Sequence, residues 1–234
     1  MFRHEDKYLC SQARIVLLKT RLHGLLGLDA HAGQNEQYTV RSLYFDDRQD
    51  SCYFENEDGT DLREKYRIRT YNQNSGDIRL ELKQKRQGLA QKQSCAITKE
   101  QCLCLISGKR PPLDDPSPPL LRKLCLLIET RRFRPVVVVE YSRTPFVCRA
   151  GNVRITFDRD ITSSNYTSGF LEGAIPRRPI MAPGQHIMEV KWDHFLPDYI
   201  RKTLQTDALS KIAYSKYYFC RRFSLTGRDT HGLF

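Results

Sequence analysis

A chain of 234 residues with 38 Lys and Arg against 27 Asp and Glu carries a formal charge of +11. Its apolar fraction of 40%, with 12 Tyr and 11 Phe, excludes a disordered tail and suffices for a core without disulfide staples. No run of about 18 uncharged apolar residues exists, so no transmembrane helix is expected, and no apolar stretch follows the N-terminus as a signal peptide would require.

The first strand is expected over residues 3–9, where Arg3, Glu5 and Lys7 share one face. Residues 11–28 read as a helix, since Ile15, Leu18, Leu22, Leu25 and Leu26 recur at 3–4 spacing behind a capping Ser11. Period-two runs then predict strands over 38–46, 62–71, 77–86 and 92–97. Thr98 and Gln101 form a T-x-x-Q capping box that opens a helix over 98–107, with Gly108 to end it. A Pro-rich loop covers 111–119. The next helix follows Ser117-Pro118 and buries Leu120, Leu121, Leu124, Leu127 and Ile128. Strands are expected over 135–143, 152–159 and 186–192, with a loop over 162–185. Pro197 opens a helix with Tyr199, Ile200 and Leu204, and a last helix is expected over 209–219. No repeat or composition shift divides the chain, which reads as one α+β domain over 1–234.

The eight cysteines sit inside apolar or periodic runs. None forms C-x-x-C, and Cys102-x-Cys104 has no second pair to complete a zinc site. They read as free thiols of a reducing compartment, so a cytoplasmic location is expected.

The surplus charge is placed in an ordered way. Arg63, Lys65, Arg67 and Arg69 occupy one face of their strand, opposite Tyr66 and Ile68. Arg79, Glu81, Lys83 and Lys85 do the same against Ile78, Leu80 and Leu82. Arg154, Thr156 and Asp158 oppose Val153, Ile155 and Phe157, and Glu189 with Lys191 opposes Met188, Val190 and Trp192. One polar face per strand is ordinary for a half-solvated sheet. Here several strands each carry a charged face, mostly cationic with a few carboxylates. If the apolar faces carry the helices, the charged faces meet around a lumen, which is a barrel with a polar interior. Crowded cations favour a polyanion there, and Arg forks and Lys ammoniums suit phosphate oxygens. The embedded carboxylates would repel phosphate unless a divalent cation bridged them; oxygen donors select Mg²⁺ or Mn²⁺. No nucleic-acid motif, P-loop, kinase signature or G-x-S-x-G is present, and nucleic acid is not expected as a partner.

At these residues the sequence resembles the vacuolar transporter chaperone (VTC) domain, the polyphosphate polymerase branch of the triphosphate tunnel metalloenzymes (CYTH-like superfamily), in its stand-alone bacterial form. The matching stretches are Arg3-His4-Glu5-Asp6-Lys7-Tyr8, Arg41-Ser42-Leu43-Tyr44-Phe45-Asp46, Lys65 to Tyr71, Leu80-Glu81-Leu82-Lys83, Glu140-Tyr141-Ser142-Arg143, Val153 to Asp158, Met188-Glu189-Val190-Lys191 and Ser215-Lys216-Tyr217. They follow in order from residue 3 to 217. The resemblance implies an α+β fold: an antiparallel eight-stranded β-barrel, the triphosphate tunnel, with a basic lumen and helices packed outside.

It further implies phosphate contacts from Lys7, Arg67, Arg69, Lys83, Arg143, Arg154 and Lys216, with Lys92 as a further tunnel lysine. Glu189 matches the metal-binding carboxylate, and Glu5 the glutamate of the first-strand E-x-K pattern. Glu81 is a further candidate ligand. Lys65, Lys85 and Lys191 on the charged faces, and Tyr44, are candidate substrate contacts. Arg3 stands where a second acid is common, and Ala213 where a second basic residue can precede Lys216. The implied activity is transfer of the γ-phosphoryl group of ATP onto inorganic polyphosphate, dependent on Mn²⁺ or Mg²⁺. A triphosphatase using the same tunnel and a non-catalytic polyphosphate-binding module are the alternatives. The sequence leaves open the oligomeric state and whether a membrane partner receives the polymer.

Overall fold

The computed structural model describes residues 2–29, 32–33, 35–113 and 116–226, the side chain of Thr206 excepted. Positions 114 and 115 of the expected 111–119 loop lie outside this set. In chain order the elements are β1 (His4–Ser11), α1 (Gln12–His23), β2 (Gly27–Leu28), β3 (Tyr38–Asp46), α2 (Ser51–Glu57), β4 (Arg63–Tyr71), β5 (Arg79–Arg86) and β6 (Leu89–Ala96). They continue with α3 (Lys99–Ile106), α4 (Pro119–Arg131), β7 (Arg134–Cys148), β8 (Val153–Ser164), β9 (Arg178–Pro179), β10 (Gln185–Trp192), α5 (Asp198–Leu204) and α6 (Lys216–Thr226).

Eight strands form one antiparallel sheet in the order β1-β10-β8-β7-β3-β4-β5-β6. The sheet curls until its two outer strands meet at a single bridge, where Arg3 and Ala90 exchange both backbone hydrogen bonds (2.8 and 2.9 Å). Further along, the free edge of β1 is covered by Ser210 and Ile212, which bond Leu9 N–H (3.3 Å) and Lys7 C=O (2.9 Å). The short strands β2 and β9 add to β7 and β8.

The apolar faces point outward, as the alternation requires. Tyr8, Cys10, Phe146, Val153, Ile155, Phe157, Met188 and Val190 pack under Ile15, Leu18 and Leu22 of α1 and Ile200 and Leu204 of α5. Leu43, Phe45, Tyr66, Ile68, Leu80 and Leu82 join Cys102 and Leu105 of α3 and Leu121, Leu124 and Ile128 of α4. Both expected caps form: Ser11 Oγ accepts from Arg14 N–H, and Thr98 with Gln101 closes a reciprocal capping box.

Several elements differ from the sequence reading. The first helix stops at His23 rather than 28, because residues 27 and 28 pair with β7 as β2. β7 and β8 run on to Cys148 and Ser164, and β8 and β9 occupy parts of the expected 162–185 loop, because β7, β8 and β9 continue to pair there. β6 begins at Leu89, because Gln87 and Gly88, with φ of 49° and 79°, make a two-residue turn. The helix α2 was not expected; its start is set by Asp46 and Asp47, whose carboxylates accept N–H bonds from Ser51, Cys52 and Tyr53. The last helix begins at Lys216 rather than near 209, since residues 210–212 are drawn into extended pairing with β1. Ser215 caps it, accepting from Tyr218 N–H at 3.3 Å. Its first turn enters the lumen, so α6 is a plug as well as a packing helix: Tyr217 lies 5.2 Å from the Tyr44 ring, on the inner face of β3.

The strand β8 carries one extra residue. Ser142 and Glu140 of β7 pair with Arg159 and Thr162, leaving Asp160 and Ile161 both opposite Tyr141. Asp160 takes up the surplus in a left-handed conformation (φ 53°).

Candidate functional site

The inner face of the sheet gathers the charged positions into three linked clusters. In the first, Arg143 donates to both oxygens of Asp158 (2.6 and 2.7 Å) and lies 3.5 Å from Glu189. Lys216 bridges Asp158 (2.5 Å) and Glu189 (2.6 Å), and Lys191 donates to the other Glu189 oxygen (3.0 Å). In the second, Glu81 is fully buried and receives Arg67 (2.8 and 2.7 Å), Lys92 (3.0 Å) and Arg69 (3.6 Å). Tyr44 accepts from Arg67 (2.8 Å), Ser42 from Arg69 (3.1 Å) and Tyr141 from Arg69 (3.3 Å). In the third, both oxygens of Glu5 accept from Lys83 (2.9 Å each), while Lys7 lies at 3.1 Å and Lys191 at 3.9 Å.

Strand register explains the linkage. Lys7 of β1 sits directly across from Glu189 of β10, which sits across from Thr156 of β8. Glu5 pairs with Lys191, and Lys191 with Arg154. Each carboxylate is thus flanked by a cation on the next strand, which a period of two makes automatic once the register is set. Lys216 arrives from outside the sheet, on the first turn of α6. A cation at a helix N-terminus opposes the macrodipole; Asp158 and Glu189 offset it there.

The fields decide the protonation states. Burial raises a carboxyl pKa, yet Arg69, Arg67 and Lys92 hold Glu81 well below the usual range. Lys83, Lys191 and Lys7 do the same for Glu5 against its burial. Glu189 is held down by Lys191, Lys216, Lys7 and Arg143. Lys216, between two carboxylates, is pushed above an ordinary lysine despite its burial. Two lysines move the other way. Burial, with repulsion from neighbouring cations, lowers Lys83 to about 7, although Glu5 pulls it up. Burial, with Lys83, Lys7 and Arg63 nearby, lowers Lys65 to about 7. Lys65 is held by Asn56 Oδ1 (2.6 Å) and Ser215 Oγ (3.0 Å), over the Tyr217 ring.

Two candidates stand apart. Arg154 pairs with Asp29 (2.6 Å) and donates to Tyr38 (3.0 Å), away from the central carboxylates. Lys85 is exposed at the end of β5. The structure also adds residues that the sequence reading did not nominate. Asp158 and Thr156 were visible in the alternation of β8 but were not assigned a role. The Thr156 hydroxyl, on the lumen face beside Glu189, is buried and has no hydrogen-bond partner among the described residues. Ser42, Tyr141 and Tyr217 lie in the matching stretches, but their contacts with the cations, like that of Tyr38, follow only from pairing across strands and with α6.

The family model of the VTC domain matches residues 2–224. The chain belongs to the VTC domain family. Among solved structures, this VTC domain is similar to a Bacillus halodurans protein described as a candidate adenylate cyclase, at 16% identity over 92% of this chain and 96% of that one, with a TM-score of 0.49. Two Pyrococcus horikoshii proteins are also similar: one at 15% identity over 97% and 99% of the chains (TM-score 0.48), the other at 12% over 88% and 87% (TM-score 0.44). No curated protein matches it.

The carboxylates of the lumen are the candidate donors for the divalent metal expected from the sequence. Among the described residues no three His, Cys, Asp or Glu side chains form a cage. The lumen instead offers single carboxylates on neighbouring strands, with Glu189 joined through shared lysines to Asp158 and Glu5. A hard divalent cation would take one or two such carboxylates and complete its shell with water and substrate phosphate. A metal taken up by Glu189, with Asp158 or Glu5 in support, would have to replace lysines and arginines that now hold those oxygens. No helix among the described residues is long and apolar enough to cross a membrane.

Proposed function

We propose that this VTC domain is a polyphosphate polymerase that transfers the γ-phosphoryl group of ATP onto a growing inorganic polyphosphate chain inside the tunnel. The observation that carries the reading is the lumen itself: rows of Lys and Arg on β1, β4, β5, β7 and β10, interrupted by carboxylates held ionised. Phosphoryl transfer needs alignment and charge neutralisation more than covalent chemistry. Arg67, Arg69 and Arg143 present planar forks with N–H groups beyond those used on Glu81 and Asp158, so they can hold phosphate oxygens while staying in place. Lys7, Lys83 and Lys216 supply point charges along the same path, and Thr156 a hydroxyl donor. A divalent ion held by Glu189 would neutralise phosphate charge and polarise the transferred group.

Transfer to phosphate is favoured over hydrolysis by the state of the carboxylates. A hydrolase needs a base to activate water, with a pKa near the working pH. Glu5 and Glu81 are held far below that, and both oxygens of Glu5 are occupied by Lys83. A polyphosphate terminus is already anionic and needs no base.

The test is incubation of the full chain with γ-labelled ATP and Mn²⁺. Long, acid-labile labelled polymer is expected, and Glu189→Gln should lower its rate more than tenfold. Orthophosphate as the sole labelled product would replace this reading with a triphosphatase. Retained polyphosphate binding with no turnover would leave a binding module.

A further inference from the structure

We propose a second phosphate-binding site outside the lumen, in the pocket between the end of β8, β9 and the far end of α6. The pocket has a volume of about 210 Å³, and Ser163, Asn165, Tyr166, Arg177 and Arg178 are among its lining residues. Ser163 is 1% exposed, and among the described residues its hydroxyl has no hydrogen-bond partner. A buried hydroxyl without a partner is costly, so an acceptor brought to it from the adjoining pocket would be favoured.

The cations around it are only partly neutralised. Arg178 sits directly across from Ser163 in the β8–β9 pairing, and its guanidinium lies 5.1 Å from the Phe223 ring of α6. It makes no ion pair with a carboxylate among the described residues. Arg177 bonds Glu140, but Glu140 also serves the buried Arg41, so one carboxylate answers two guanidinium groups. Two arginines and a serine among the residues of one cavity match the chemistry of a multi-oxygen anion such as a phosphate group.

The pocket is built rather than fortuitous. Arg41 fastens the loop behind it, donating to the carbonyls of Phe170 (3.2 Å) and Gly173 (2.8 Å). A Cβ at Gly169 would stand 2.3 Å from the Tyr166 ring, so only glycine lets that ring close the wall. The helix α6 separates the two sites: Lys216 at its start reaches the lumen carboxylates, while Phe223 near its end supports Arg178. An anion could occupy this pocket whatever reaction the lumen carries out.

Calorimetric titration of the full chain with inorganic triphosphate, at fixed moderate salt, tests it. Wild type should show two classes of site. Arg178→Gln and Ser163→Ala should each weaken one class about tenfold or more, leaving the other and the polymerisation rate unchanged. Arg67→Ala should weaken the opposite class. Loss of binding in Arg178→Gln but not in Arg67→Ala would keep this site and remove the tunnel reading. A single class that Arg67→Ala removes, or two classes unaffected by Ser163→Ala and Arg178→Gln in proteins with native near-ultraviolet dichroism, would overturn it.

Discussion

Lys65 is a cation in a place that resists its charge. Its folded pKa lies near 7 against an ordinary 10.5, so between those values the unfolded chain binds more protons than the folded one. Stability should therefore rise with pH through this window, as far as Lys65 contributes. An anion in the lumen reverses the bias by restoring the proton. Triphosphate binding at pH 8 should take up protons, and affinity should fall as pH rises from 7 to 9. Titrations in buffers of different ionisation heat measure the uptake. Lys65→Met should remove part of it while leaving the protein at least as stable at pH 7. Arg67 presents the opposite case. It lies against the fully buried Glu81, so Arg67→Ala exposes a carboxylate that only Lys92 and Arg69 still neutralise. A loss of about 1–3 kcal/mol is expected in urea denaturation, together with loss of turnover. Crowding of cations alone would suggest the reverse sign; the carboxylates set it.

At the scale of elements, α6 couples folding to the site. Ser215 caps the helix and accepts from Lys65 with the same oxygen. Ser215→Ala should cost about 1 kcal/mol as a lost cap, and it should also shift the pH dependence assigned to Lys65. A purely structural cap would leave that profile unmoved. The beginning of α6 was hard to read because Leu209, Ile212 and Tyr217 imitate a helical stripe, while the pairing that pulls residues 210–212 against β1 is non-local. The helix α2 escaped for a similar reason: Asp46 and Asp47, which satisfy its first N–H groups, lie at the end of a strand. All eight long strands, by contrast, were legible, though β7 and β8 run on past the ends expected at 143 and 159, since alternation of charge against Leu, Ile and Val admits one period and one buried face. The same alternation carried most of the site. What it could not give was partnership: which carboxylate meets which cation, that Arg154 turns to Asp29, and that Thr156 is left unpaired.

Taken whole, the lumen among the described residues brings Lys7, Lys65, Arg67, Arg69, Lys83, Lys92, Arg143, Lys191 and Lys216 around carboxylates that include Glu5, Glu81, Asp158 and Glu189. The excess acts as a fixed counter-ion for a polymer of repeating charge, so polyphosphate affinity should drop steeply as NaCl is raised from 50 to about 500 mM in a filter-binding assay. The extra residue in β8 has a separate bearing on the tolerance of the sheet to change. A strand is a two-phase object, and removing any ordinary residue inverts the phase of everything beyond it. Deleting Ile155 should therefore turn Thr156 and Asp158 outward relative to Val153, and yield insoluble protein. Asp160 is off-phase: Asp158 on one side and Ile161 on the other already face inward. Its deletion should leave both faces intact, altering only the local twist, and give a soluble protein with a cooperative melt. The strand thus contains a single position at which evolution can change its length without changing its meaning.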